Sequence, residues 1–256
     1  MMKRLFMTMA VVMSAAIALA EGDVTKEKFK PFYTREEAPH LENVIPAPPT
    51  LVDPLFFNDW AQFQWGLSVR DSERGKQAVE DAHINATYFM KRYSEATDIE
   101  LTPETHPELF RLFSRLHLTE QQAGASAKLY FQRVRPYQQY KEPSAVPDHE
   151  NPTDFTSYPS GHTHASWLVG LTLVTLEPEH TEQIMKIAYE LGQSRVIVGF
   201  HYQSDVDMGR IAGSITFARV MAEPEFQKQY EKAKKEYEKV RKEHEKAKKE
   251  FGRKKR

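Results

Sequence analysis

Trp167-Leu168-Val169-Gly170-Leu171-Thr172-Leu173-Val174-Thr175-Leu176 is an apolar run relieved only by one glycine and two threonines. It falls short of the ~20 apolar residues that span a bilayer. Helix-compatible residues precede it from Thr163, and that combined length favours a helix over a strand. A helix apolar on every side belongs inside a bundle, where neighbours cover all its faces. Outward from it, stretches 58–70, 72–96, 107–135, 163–176, 180–193 and 204–222 have helical length and spacing with few breakers. Strand-like alternation is rare. The expected fold class is all-α: a compact helical bundle ending in a long charged C-terminal helix.

Two segments resist that pattern. Residues 21–55 hold Pro31, Pro39, Pro46, Pro48, Pro49 and Pro54 and are expected to lie extended on the body. The segment from Tyr137 to Tyr158 holds Pro143, Pro147 and Pro152. A loop of this length in a compact domain is commonly functional.

The chain has 256 residues, 40% of them hydrophobic, enough to bury a substantial core. Cysteine is absent, which excludes disulfide frameworks, thiol nucleophiles, iron–sulfur clusters and Cys-ligated zinc. The formal charge of −1 conceals an asymmetry: residues 227–256 carry 14 bases and 6 acids, whereas residues 1–226 carry 21 bases and 30 acids. The protein is an acidic body with a basic tail.

Residues 1–20 have the texture of an export signal. Lys3 and Arg4 precede an apolar stretch from Leu5, and Ala18-Leu19-Ala20 supplies small residues before the polar Glu21. Cleavage there predicts a periplasmic or secreted product with no membrane span; a membrane anchor is the alternative. The mature body is then 21–226 and the tail 227–256. That tail repeats YEKAKKE, YEKVRKE and HEKAKKE, with Tyr230, Tyr237, His244 and Phe251 at one heptad position and Phe226, Ala233, Val240 and Ala247 at another. Three readings stand: a helix whose weak seam rests on neighbouring surface, a self-associating coil giving a homo-oligomer, or a basic handle for an anionic surface. No aromatic-interleaved module accompanies the bases, so nucleic acid is not expected as a partner.

Chemistry concentrates in three blocks. Lys128 and Arg135 are seven apart, which on a continuous helix returns them to one face, and Pro136 ends such a helix. Tyr158-Pro159-Ser160-Gly161-His162 opens a helix: Ser160 suits the N-cap, Gly161 admits close backbone approach, and the helix-start amides favour an anion beside His162. In the third block, His201 and Asp205 are four apart, as a helical imidazole–carboxylate pair requires. The carboxylate would fix one ring tautomer and leave the other nitrogen as nucleophile. Arg195 adds a fork matched to phosphate oxygens. Singly, these read as a solvated basic face, an ordinary loop-to-helix junction and a structural His–Asp pair. His162 and His164, two apart, would point their rings in different directions on a helix and do not make a metal pair.

Together, Lys-x6-Arg-Pro, Pro-Ser-Gly-His and Ser-Arg-x5-His-x3-Asp fix eleven positions in order. This resembles the signature of the acid phosphatase and vanadium haloperoxidase superfamily. The flanks Ser-Glu-Arg-Gly-Lys-Gln-Ala (72–78), Ser-Tyr-Pro-Ser-Gly-His-Thr (157–163), Glu-Leu-Gly-Gln-Ser-Arg-Val-Ile (190–197) and His-Tyr-Gln-Ser-Asp-Val-Asp (201–207) are similar to the bacterial class A non-specific acid phosphatases. Thr156 departs from them, standing where glycine is common. The resemblance, over about 43–226, implies a helical bundle of that type. It implies hydrolysis of small phosphomonoesters, with inorganic phosphate as product, vanadate as inhibitor and no cofactor. The implied nucleophile is His201, oriented by Asp205; His162 serves as acid and then base. Lys128, Arg135, Ser160, Gly161 and Arg195 hold the phosphoryl group. Those roles require His201 neutral and His162 charged, hence a bell-shaped, acidic rate profile. Transfer to alcohols belongs to the same expectation. A vanadium-dependent haloperoxidase, or a surface-attachment role of the tail added to catalysis, is the alternative.

Overall fold

In a computed structural model that describes residues 23–254, the chain folds into α1 (Phe56–Val69), α2 (Glu73–Glu80), α3 (Ala86–Thr97), α4 (Pro107–Phe131), α5 (Pro136–Tyr140), α6 (Gly161–Leu176), α7 (Thr181–Ile197), α8 (Gln203–Val220) and α9 (Pro224–Lys254). Short 3-10 turns punctuate the loops, and no strand occurs among the described residues. The apolar run is the centre of an all-α bundle. Ala165, Leu168, Val169 and Leu173 of α6 are fully enclosed, with α7, α8 and α4 packed around them. Two glycines set how closely the neighbours approach the start of α6. A Cβ on Gly209 of α8 would lie 2.8 Å from the Ser160 carbonyl oxygen, and one on Gly192 of α7 would lie 3.0 Å from the Thr163 methyl. These contacts fix the height of α7 and α8 against the one helix N-terminus where the three sequence blocks meet.

The expected helix over 72–96 is two helices. Asp81 ends α2 and Asn85 caps α3, its side chain accepting the Tyr88 N–H. The break has a cause: the buried Asp81 carboxylate turns inward to accept from Tyr88 Oη (2.7 Å), Gln77 Nε2 (3.0 Å), Arg92 Nε (3.1 Å) and Ser194 Oγ (2.5 Å). A continuing helix would point it elsewhere. The Pro-rich lead-in lies on the body as expected, burying Phe32, Tyr33, Leu41 and Ile45. Its Pro46 carbonyl accepts from Tyr158 Oη at 2.6 Å.

The tail begins inside the fold. Phe226, Tyr230, Ala233 and Tyr237 belong to the main core, with Val240 packed against it. The Glu236 carboxylate accepts the N–H groups of Glu108 and Leu109 at 3.0 Å each, capping the start of α4. The heptad seam thus rests on the body as far as Val240. The alternative of a self-associating coil does not hold for these positions, because they are already buried within the chain. The export signal expected over 1–20 lies outside the described residues. Among those described, no helix is long and apolar enough to cross a membrane.

Candidate active site

Helix α4 stops at Phe131, where Gln132 takes left-handed backbone (φ 44°), and Arg135 lies extended as the cap of α5. Lys128 and Arg135 therefore do not share a helix face, as continuous spacing predicted. They converge from two directions on one carbonyl. Lys128 Nζ donates to Thr156 O (2.9 Å) and Pro159 O (2.8 Å), and Arg135 Nη2 reaches Thr156 O at 3.4 Å. The left-handed residue is what frees the chain to place Arg133 and Arg135 both inward.

Ser160 caps α6 as predicted. Its hydroxyl accepts the Thr163 N–H (3.4 Å) and the Thr163 O–H (3.0 Å), which leaves its own proton to donate elsewhere. Gly161 follows, and a Cβ there would meet Glu120 Oε1 at 3.1 Å and Lys128 Nζ at 3.8 Å. The missing side chain lets the lysine lie against the helix start, where the amides and the dipole already favour an anion.

His201 precedes α8 and Asp205 sits in its first turn, so the pair meets across the helix N-terminus rather than along a helix face. His201 Nδ1 lies 3.3 Å from Asp205 Oδ2. That carboxylate also accepts from Tyr202 N (2.9 Å), Ser157 Oγ (2.6 Å) and Arg133 Nη1 (2.5 Å). With a proton held on Nδ1, the Nε2 lone pair faces the site, 3.1 Å from Arg135 Nη1. His162 Nε2 is 2.9 Å from the Ala82 carbonyl oxygen, which calls for a proton on Nε2 and leaves the lone pair on Nδ1. His164 turns away from it, with Nε2 2.8 Å from Thr216 Oγ1; the two rings diverge as their spacing predicts.

Arg195 is fully enclosed, yet none of its three guanidinium nitrogens has a hydrogen-bond partner among the described residues. Its guanidinium lies 4.9 Å from the centre of the Phe200 ring, and that of Arg135 lies 4.3 Å from the same centre. The cations act on every base nearby. Burial, then Arg135, Lys128 and Arg195, hold His201 well below the usual imidazole range. Burial and Arg195 do the same to His162. Burial and Arg135 pull Lys128 down to about 8 and Arg195 to about 9, both still charged at acid pH. His201 neutral matches the expectation; His162 charged does not hold for these side chains alone.

All eight expected residues thus gather at one end of the bundle, inside the span 114–227 that matches the PAP2 superfamily. A non-specific acid phosphatase of Providencia stuartii is 38% identical over 215 residues, 83% of this chain and 87% of that protein. Another, of Salmonella typhi, is 37% identical over 207 residues, 80% of this chain and 83% of its own. The chain belongs to the non-specific acid phosphatases of the PAP2 superfamily. Among solved structures, a transmembrane PAP2-type phosphatidylglycerolphosphate phosphatase of Bacillus subtilis is 19% identical with a TM-score of 0.46, covering 67% of this chain and 86% of that one.

Four more residues pack against these groups without standing out in the sequence blocks: Arg133, Asp59, Ser157 and Asp154. Arg133 joins Asp205 to Asp59, donating from Nη2 to Asp59 Oδ2 at 2.8 Å. Ser157 donates to Asp205. Asp154 accepts from Arg135 Nε at 2.6 Å. Arg133 stands inside the Lys-x6-Arg block and was legible as a third base there. Asp59 is more than 70 residues away in sequence, and only the fold brings it in.

Proposed function

We propose that this acid phosphatase is exported and hydrolyses phosphomonoesters of broad range through a phosphohistidine on His201. The observation that supports this most is Arg195, a buried guanidinium that no group among the described residues hydrogen-bonds and whose charge acts on both His162 and His201. A buried unpaired cation is strongly unfavourable unless a ligand completes it, and a phosphoryl group has the matching charge and fork geometry.

His201 Nε2 attacks phosphorus in line with the ester oxygen. The P–N bond forms as the P–O bond breaks, and His162 gives its proton to the departing alkoxide. His162 then takes a proton from water, whose oxygen attacks phosphorus and releases His201 and inorganic phosphate. Lys128, Arg135, Arg195, the Ser160 hydroxyl and the Gly161 amide hold the equatorial oxygens as charge shifts between them. Fixed cations perform the charge neutralisation that bound metal ions provide elsewhere. An alcohol in place of water gives phosphotransfer. Vanadate, five-coordinate at the same centre, inhibits.

The test is covalent trapping. Denaturing, alkaline quench of the enzyme turning over a chromogenic phosphomonoester should leave phosphate on His201 and none on His162, and His201→Ala should abolish turnover. Hydrolysis should resist chelator, stop with vanadate and come without bromide oxidation by peroxide. Turnover surviving in His201→Ala, or label on His162, overturns the assignment.

A further inference from the structure

The cradle is not uniformly cationic. Arg195 has no hydrogen-bond acceptor among the described residues, but Arg135 carries a carboxylate of its own. Asp154 Oδ2 accepts from Arg135 Nε at 2.6 Å, and the other oxygen of Asp154 accepts from the Thr156 hydroxyl and, at 2.8 Å, from the Thr156 N–H. Thr156 Oγ1 in turn lies 3.3 Å from Arg135 Nη2. Thr156 thus touches both members of the Arg135–Asp154 pair. Its hydroxyl and its amide lock a carboxylate onto the edge of Arg135 facing away from His201, while Nη1 faces Nε2 of that histidine. Burial works against the charge on Asp154, but the Thr156 hydrogen bond and the Arg135 charge prevail and hold it below the usual carboxylate range.

We infer that Asp154, held by Thr156, is a positioning residue that aims the Arg135 fork and at the same time weakens the cradle's grip on phosphate, so that product leaves. This rests on the reading of Arg135 as a phosphate ligand. Two effects follow from one carboxylate. Its hydrogen bond fixes the guanidinium plane, and its negative charge opposes an anion bound on the other side of that guanidinium.

Removing the charge without changing the shape separates the clamp from a merely structural role. In Asp154→Asn the fork loosens and product lingers, so kcat falls, by about tenfold. Because the repelling charge is gone, KM and the inhibition constant for inorganic phosphate fall as well, each by about three- to tenfold. Thr156→Val gives the same pattern to a smaller extent, and Thr156→Ser, which keeps the hydroxyl, retains wild-type values. A residue with only a folding role would raise KM and the phosphate constant or leave them alone. An unchanged or raised phosphate constant in Asp154→Asn, with the helical spectrum and melting temperature intact, overturns the inference. If that variant does not fold, Thr156→Val decides by the same readings. Wild-type enzyme that neither binds phosphate nor hydrolyses the ester sinks the underlying reading instead, and that outcome is visible before any variant is made.

Discussion

Arg133 and Arg195 are both buried arginines that act on the His201–Asp205 pair, and the fold treats them in opposite ways. Arg133 is saturated: Nη1 donates to Asp205 and to Ser204 Oγ (2.7 Å), Nη2 to Asp59, and the Tyr202 ring lies under its guanidinium at 3.9 Å. Burial opposes its charge, but Asp205 and Asp59 prevail and raise its pKa. Arg195 has the Phe200 ring and no hydrogen bond, and burial with Arg135 lowers its pKa to about 9. One end of the histidine is a closed network in which charges are already balanced. Around Arg195 no hydrogen-bond acceptor among the described residues balances the charge. A buried charge left unpaired is destabilising, and this chain carries one at Arg195.

The comparison is broken most directly by the isosteric loss of each charge. In Arg195→Met, kcat/KM for a phosphomonoester should fall by about 10³-fold, the scale for removing a preorganised charge from a transition state. Stability to urea should stay level or rise by about 1 kcal/mol, since an unpaired buried cation is gone. Arg133→Met should do the reverse in stability, losing about 3–5 kcal/mol because Asp59 and Asp205 are left buried and facing each other without a cation. Urea midpoints for the two variants, read alongside their kinetics, decide it. Equal losses of stability would erase the distinction drawn between the two arginines.

The sequence made one side of this comparison readable and hid the other. Arg195, His201, Asp205, Ser160, Gly161, His162, Lys128 and Arg135 stood in short blocks whose spacing carries chemistry, and the apolar run 167–176 placed them on a helical bundle. Within those blocks the spacing names the right residues but not the path of the chain. Lys128 and Arg135 were assigned one helix face, whereas the left-handed Gln132 ends α4 between them. His201 and Asp205 were assigned a helix face, whereas they straddle a helix start. In both, spacing was right for contact and wrong about the path of the chain. The closed network was illegible because its members are distant: Asp59 and Arg133 lie 74 positions apart. No periodicity records such a pair. The break at Asp81 was hidden for the same reason, since the partners that draw the carboxylate inward include Ser194, 113 positions away. The tail was legible as a seam but not as core, because heptad spacing says that a stripe is covered and not by what.

The smallest effect tests whether Arg195 also sets the protonation of His162. Burial and Arg195, with lesser contributions from His201 and His117, hold that imidazole well below its usual range, although the Ala82 carbonyl pulls it upward. A group whose pKa is lowered in the free enzyme and raised on anion binding takes up a proton as the anion binds. Binding therefore tightens as pH falls, by at most tenfold per unit for each proton taken up. Sulfate is a suitable probe because it remains a dianion across this range, so any proton taken up belongs to the protein. Its inhibition constant should fall between pH 7 and pH 5. Calorimetry in buffers of different ionisation heat should show uptake of a fraction of a proton. Arg195→Met should bind sulfate weakly and flatten the pH dependence, because its His162 starts from a higher pKa. Arg133→Asn, which leaves Arg195 in place, should keep the slope even where affinity drops. A sulfate constant that is independent of pH in the wild type, or a slope that survives in Arg195→Met, would place the proton elsewhere and separate Arg195 from the acid that the leaving group requires.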